Sequence, residues 1–140
     1  MSFPSLKKMV KILKGYVSSR KISGQIVPQS IQNIIIRNYC NENKYNFALS
    51  STEYSPEESF LMLEKTINEI DKYYGIITYS IFQLPYNLRY RNTIINKIIN
   101  KNKIIYFVLE KICIKDKNDI IKLNQIIKIN QLLPYSLNKI

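Results

Sequence analysis

Gly75-Ile76-Ile77-Thr78-Tyr79-Ser80-Ile81-Phe82-Gln83-Leu84-Pro85 is the stretch on which the fold turns. Residues of strand-forming type follow Gly75 without interruption and run into a polar turn closed by Pro85. A short apolar run bounded by glycine on one side and a turn on the other is the pattern of a strand covered on both faces, as in a parallel sheet flanked by helices. Ser80 and Gln83 then fall at its carboxyl end, where open α/β sheets hold their ligands.

Working outward, Lys14 to Ser18 reads as a first strand, with Gly24 in the loop beyond it. Pro28 precedes a helical pattern from about Gln29 to Asn43. Its spacing places Ile31, Ile34, Ile35 and Tyr39 on one face and Gln32, Asn33, Arg37 and Glu42 away from it. Tyr45 to Leu49 reads as a second strand, and Ser50 to Tyr54 as a polar loop. Ser55-Pro56-Glu57-Glu58 fits a capping box with proline at the first helical position. The helix it predicts carries Phe60, Leu63, Ile67 and Ile70 at spacings of three and four. Downstream, Leu88 to Asn100 repeats the helical period, Lys103 to Leu109 is a fourth strand, and Ile112 to Ile114 a short further one. Asp116 caps a last helix that is expected to stop before Pro134. Strands alternating with helices predict an α/β fold: a three-layer, mostly parallel four- to five-stranded sheet, order 2-1-3-4, with right-handed connections and helices on both faces.

The length of 140 residues predicts a single domain, 1–140, with residues 1–13 as a basic arm and 116–140 as a terminal helix and tail. Most of the net charge of +11 lies at the ends: residues 1–21 hold six Lys/Arg and no acid, residues 97–140 nine Lys and three acids. Lys supplies 17 of the 21 bases, and Ile, Asn, Lys and Tyr fill 69 positions, the bias of an AT-rich coding sequence. A basic functional face therefore competes with a merely solvated one. Cys40 and Cys113 lack CxxC spacing and the chain has no His, which leaves no Cys/His metal site and removes the Ser-His and Cys-His pairs. The two cysteines read as buried free thiols of a reducing compartment. No metal and no cofactor is expected, and acid/base work would fall to Glu, Asp, Tyr or Lys. The start lacks a signal-peptide pattern and no stretch has the length of a membrane span, so a cytoplasmic location is expected.

A parallel sheet gathers the trailing residues of its strands along one edge. There the first strand brings Ser18, Ser19 and Arg20; the second Ser51, Thr52, Glu53 and Tyr54; the third Tyr79, Ser80 and Gln83; the fourth Glu110. Hydroxyls both donate and accept, and a guanidinium grips an oxyanion through parallel bonds, so this set suits a polyhydroxylated or phosphorylated ligand. Ser18, Ser19, Arg20, Thr52, Tyr54, Ser80 and Gln83 are the candidate binding residues, Glu53 and Glu110 the candidate general bases. The plainer alternatives are turn formers and caps for the hydroxyls, and for Arg20 an ion pair with Glu53 or Glu110 that ties strands together.

Gly15-Tyr16-Val17-Ser18-Ser19-Arg20, Gln32-Asn33, Tyr39-Cys40, Ser51-Thr52-Glu53-Tyr54, Tyr79-Ser80-Ile81-Phe82-Gln83-Leu84-Pro85 and Glu110 together resemble the sporadic carbohydrate cluster family of bacterial surface-polysaccharide loci. That resemblance implies a setting in glycan assembly and no mechanism. More distantly, the strand and helix order, with a Tyr and a Ser after the first strand, is similar to the catalytic domain of serine recombinases. Those enzymes place Arg and then Ser two residues apart after the Tyr, whereas Ser18 and Arg20 stand here in reverse order. Their paired arginines after the third strand would fall near Gln83 to Pro85, where this chain has none.

Three functions follow as expectations. The first is a protein or small enzyme binding a sugar, sugar phosphate or nucleotide sugar through Arg20 and the edge hydroxyls. The second is nucleic-acid binding on a resolvase-like fold, with Tyr73, Tyr74, Tyr86 and Tyr90 as stacking groups. The third is an interaction subunit whose Ile-rich last helix and Leu132-Leu133-Pro134-Tyr135 pack against a second copy or a partner.

Overall fold

The computed structural model describes residues 10–54 and 59–138, and within them the elements run β1 (Ile12–Ser18), α1 (Gln29–Glu42), β2 (Asn46–Glu53), α2 (Leu61–Asn68), β3 (Gly75–Thr78), α3 (Leu88–Asn100), β4 (Ile104–Phe107), β5 (Ile112–Ile114) and α4 (Lys117–Asn138). Single 3-10 turns lie at Ile70–Lys72 and Ile81–Gln83. The predicted basic arm falls largely outside the described residues, and so does the capping box at Ser55 to Glu58.

All four residues of β3 are buried, as an apolar run covered on both faces requires. Gly75 opens the strand because a Cβ there would collide with the backbone carbonyl and side chain of Ile104 on β4. The sheet order is β2-β1-β3-β4-β5. Parallel pairing joins the first four strands, and β5 returns antiparallel along β4. One face carries α1, where Leu13, Val17 and Ile77 meet Ile36 and Cys40. The other carries α2, α3 and α4, whose Leu63, Ile67, Ile94, Ile98, Leu123 and Ile127 close over Ile76, Ile105 and Phe107.

Four expectations need correction. First, α1 turns a different side inward: Gln32, Ile36 and Cys40 are buried, while Ile31 and Ile34 are 44% and 55% exposed. The amide of Gln32 has polar partners at the sheet edge, and they outweigh the apolar period of the helix. Second, β2 extends to Glu53, so Ser50 to Glu53 is paired strand, with Ser18 opposite Glu53, and not a loop. Third, α2 starts at Leu61, later than Pro56. Its first amides are closed by Glu53, whose Oε1 accepts from Met62 N at 2.7 Å and Leu63 N at 3.0 Å. Fourth, α4 runs through Pro134 to Asn138; a proline inside a helix removes one backbone hydrogen bond and crowds the carbonyl four residues earlier, which weakens or kinks a helix without obliging it to end there. Its start is as expected: Asp116 accepts from Asp119 N at 2.9 Å, and the Asp119 carboxylate answers by accepting from Asp116 N at 3.3 Å.

Candidate functional site

The carboxyl ends of β1 and β3, the two central strands, end in a closed set of polar side chains. Gln83 is the hub. Its Oε1 accepts from Thr78 Oγ1, Tyr79 N and Ser80 N at 2.7–3.0 Å, and its Nε2 donates to Gln32 Oε1 at 2.8 Å and Ser18 Oγ at 3.4 Å. Gln32 in turn donates to the carbonyls of Ser18 and Val27 and accepts from Ser18 N. Ser80 donates to Glu110 Oε2 at 2.6 Å, while Glu110 Oε1 accepts from Ile81 N at 2.9 Å. Ser18, Gln32, Ser80 and Gln83 are each at most 1% exposed. Of the predicted residues, Ser18, Ser80, Gln83 and Glu110 therefore come together, as partners of one another and of Gln32.

Glu53 is likewise engaged, capping α2 and accepting from Tyr16 Oη at 3.3 Å. Ser19 donates to the carbonyls of Glu53 and Tyr54 and accepts from Gln29 Nε2. Thr52 and Tyr54 lie apart from Arg20, lining a shallow groove between β2 and α2 together with Lys14 and Lys65. Burial pushes the Tyr16 hydroxyl well above the usual tyrosine range against the neighbouring Arg20 charge.

Arg20, 8% exposed, makes no ion pair with Glu53 or Glu110. Its Nη1 donates to Ser59 O at 2.7 Å, and its Nη2 to Gln83 O at 2.7 Å and Tyr16 Oη at 2.9 Å. Its plane lies over the Phe60 ring at 4.2 Å. Arg91, 4% exposed, resembles it: Nη1 donates to the carbonyls of Pro85 and Tyr86, and Nε to Asn124 Oδ1. Burial lowers the pKa of Arg91. Both guanidiniums are thus fastened to the stretch from Gln83 to Tyr86, and the described bonds occupy three of the five N–H groups of each.

Both also line one cleft of about 630 Å³, walled by Ile81, Phe82, Leu84 and Ile127 and edged by Lys21. A second depression of about 820 Å³ adjoins it between α3 and α4, sharing Tyr86, Arg91 and Gln131 and adding Lys128. The two form one groove carrying Arg20, Lys21, Arg91 and Lys128, with no carboxylate among its described lining residues. Amides of Asn87, Asn124, Gln125, Asn130 and Gln131 line it too. Burial of a cation is costly unless something opposes its charge. Among the described residues the only ion pair is Lys97 with Glu64, and the two buried guanidiniums are held by carbonyls, a hydroxyl and an amide instead.

Sequence reasoning named Arg20 and Tyr86 and missed Gln32, Arg91 and the α4 wall. Arg91 sits inside α3, where its number along the chain gives no sign that it turns back to the loop before it. Of the other tyrosines named for stacking, Tyr90 donates to Glu64 and packs edge-on against Phe60. Tyr74 lies at the opposite end of the sheet, stacked near Tyr45. Among the described residues no cluster of His, Cys, Asp and Glu has the makings of a metal site, and no helix is long and apolar enough to cross a membrane.

No family model and no curated protein matches the chain, so the resemblance to the carbohydrate cluster family finds no support there. Among solved structures the chain is similar to the N-terminal catalytic domain of TP901-1 integrase, at 16% identity and TM-score 0.62, covering 87% of this chain and 97% of that one. It is similar also to a resolvase family site-specific recombinase from Streptococcus pneumoniae, at 13% identity and TM-score 0.64, covering 91% of this chain and 93% of that one. The resolvase-like fold is thereby shared.

Proposed function

We propose that this chain is a nucleic-acid-binding protein on a resolvase-like fold, one that holds a phosphodiester backbone in the Arg20–Arg91 groove without cutting it. The observation that carries this reading is the groove itself: four cations, two of them buried, and no carboxylate among the described lining residues. The net charge of +11 favours encounter with a polyanion. The solved neighbours, named as an integrase domain and a recombinase, agree with it at the level of fold.

Strand cleavage lacks its parts. Ser18 and Ser80 are fully buried and bonded, Arg20 stands two residues on from Ser18, and both candidate bases are engaged by backbone N–H groups, Glu53 by Met62 and Leu63 and Glu110 by Ile81. A sugar or nucleotide sugar has the enclosed Arg20 end in its favour. Of the hydroxyls expected to contact it, Ser19 lines the cleft beside Arg20, whereas Ser18 and Ser80 are turned into the fold and Thr52 lies in a separate groove.

Fluorescence titration of labelled oligonucleotides at several salt concentrations tests the proposal. Submicromolar binding near physiological salt is expected, and Lys21→Glu combined with Lys128→Glu should weaken it more than about tenfold and lower the salt slope by about two. Thermal stabilisation by a nucleotide sugar, together with nucleic-acid binding indifferent to the two Lys changes, would overturn it.

A further inference from the structure

We infer that the Arg20 end of the groove takes a terminal phosphate monoester, so that the groove holds a strand by its phosphorylated end; the inference rests on the nucleic-acid reading above. Charge gives the first reason. Arg20 and Arg91 are 8% and 4% exposed, and the carbonyls, hydroxyl and amide that hold them fill hydrogen bonds without cancelling either charge. A buried cation left uncompensated is costly. An internal diester would bring one negative charge to the two guanidiniums, whereas a monoester brings close to two and a third acceptor oxygen.

Reach gives the second. Every buried side-chain N and O among the described residues has a hydrogen-bond partner. Nε of Arg20 and Nη2 of Arg91 carry none of the described bonds, so they are nitrogens that solvent still touches, on two residues that line the same cleft. Arg20 is tied to the carbonyl of Gln83 and Arg91 to that of Pro85. Those carbonyls are two residues apart along the chain, a span of at most about 7 Å, which one phosphate with a hydrogen bond on either side can bridge. Shape gives the third. The part of the cleft not shared with the second depression is walled by Lys21, Ser23, Gly24 and Ile26. There Ile22 and Gln25 exchange backbone hydrogen bonds at 2.7 and 3.1 Å across a turn at Ser23 and Gly24. The other half runs between α3 and α4 past Lys128. A strand laid in the groove leaves over Lys128 and stops at the turn, with its last phosphate beside Arg20 and Lys21.

The test uses the full chain and an internally labelled single strand of about 12 nucleotides, made with a 5′-phosphate, a 3′-phosphate or hydroxyls at both ends. A slightly longer hydroxyl-ended strand of the same total charge serves as control. One of the phosphorylated strands should bind at least about tenfold more tightly than both hydroxyl-ended ones, and which one it is gives the direction in which the strand runs. Lys21→Gln should cut that margin to about threefold, whereas Lys128→Gln should weaken every strand by a similar factor and keep the margin, melting curves reporting that both variants are folded. The margin should also shrink as pH is lowered through about 6, where the monoester gains its second proton, with the hydroxyl-ended strands as the baseline for any change in the protein. Equal binding of the phosphorylated and charge-matched strands overturns this inference while leaving the nucleic-acid reading in place. A margin that neither Lys21→Gln nor acid diminishes puts the phosphate elsewhere and overturns it too. Absence of binding to every strand removes the underlying reading as well.

Discussion

Two polar regions share the carboxyl edge of the sheet, and they differ in how their donors and acceptors balance. Around Gln83 each buried side-chain N and O has a partner within the protein, as it does among the described residues generally. Around Arg91 the cations face a groove that offers no carboxylate among its described lining residues. Residue type alone does not separate them, since serines, glutamines and charges are present in both. The balance does: a region that satisfies itself holds the fold, and one left with excess charge is where the reading proposed above places a ligand.

Gln83→Ala should have the largest effect on stability. It strips acceptors from Thr78, Tyr79 and Ser80 and a donor from Gln32, all in a buried setting, at about 3 kcal/mol in urea denaturation. Nucleic-acid affinity of the folded fraction should not change. A loss under about 1 kcal/mol would mean that water replaces the amide and that the first region is less closed than it looks.

Glu53→Ala comes next, removing the acceptor for Met62 N and Leu63 N for about 2 kcal/mol, read from the same denaturation curve. Tyr16→Phe should cost about 1 kcal/mol at neutral pH. It should also flatten part of the alkaline fall in stability. Burial holds the Tyr16 proton more tightly in the folded chain, so the unfolded chain releases it first as pH rises past 10.0, and the stability present below that pH drains away above it. Tyr39 and Tyr45 are raised in the same direction by burial, so the flattening is partial. An alkaline profile identical in Tyr16→Phe and wild type would refute this assignment.

Lys21→Ala with Lys128→Ala closes the series with the smallest change in stability, within about 0.5 kcal/mol, because both side chains are exposed. Binding, by contrast, should fall. A melting loss comparable to that of Gln83→Ala would erase the distinction between the two regions.

What could be read from the chain follows the range of the interactions involved. Leu88–Asn100 and Ile112–Ile114 were readable to the residue because local period and turn signals bound them. Strand order followed from the alternation of strands and helices. The inward face of α1 did not follow from periodicity, because Gln32 is buried by partners on β1 and beyond β3. The end of β2 escaped for a similar reason: Ser50 to Glu53 has loop composition, but β1 pairs with it. At the site, Ser18, Ser80, Gln83 and Glu110 were correctly brought to one edge. Their mutual saturation was hidden, since a sequence shows which groups a residue carries and not which neighbour reaches them first.

The cap on α2 has a consequence in time. The helix begins at Phe60 without a side-chain cap from that residue, and the acceptor that closes its first amides sits at the end of β2. Until β2 has docked on β1 that carboxylate has no fixed place, so the first turn of α2 matures after the strand pair and opens with it. The amides of Met62 and Leu63 should then exchange with deuterium at the rate of β2 and not at the rate of an ordinary fraying helix end, which makes two backbone hydrogens the reporters of an edge strand to which they do not belong.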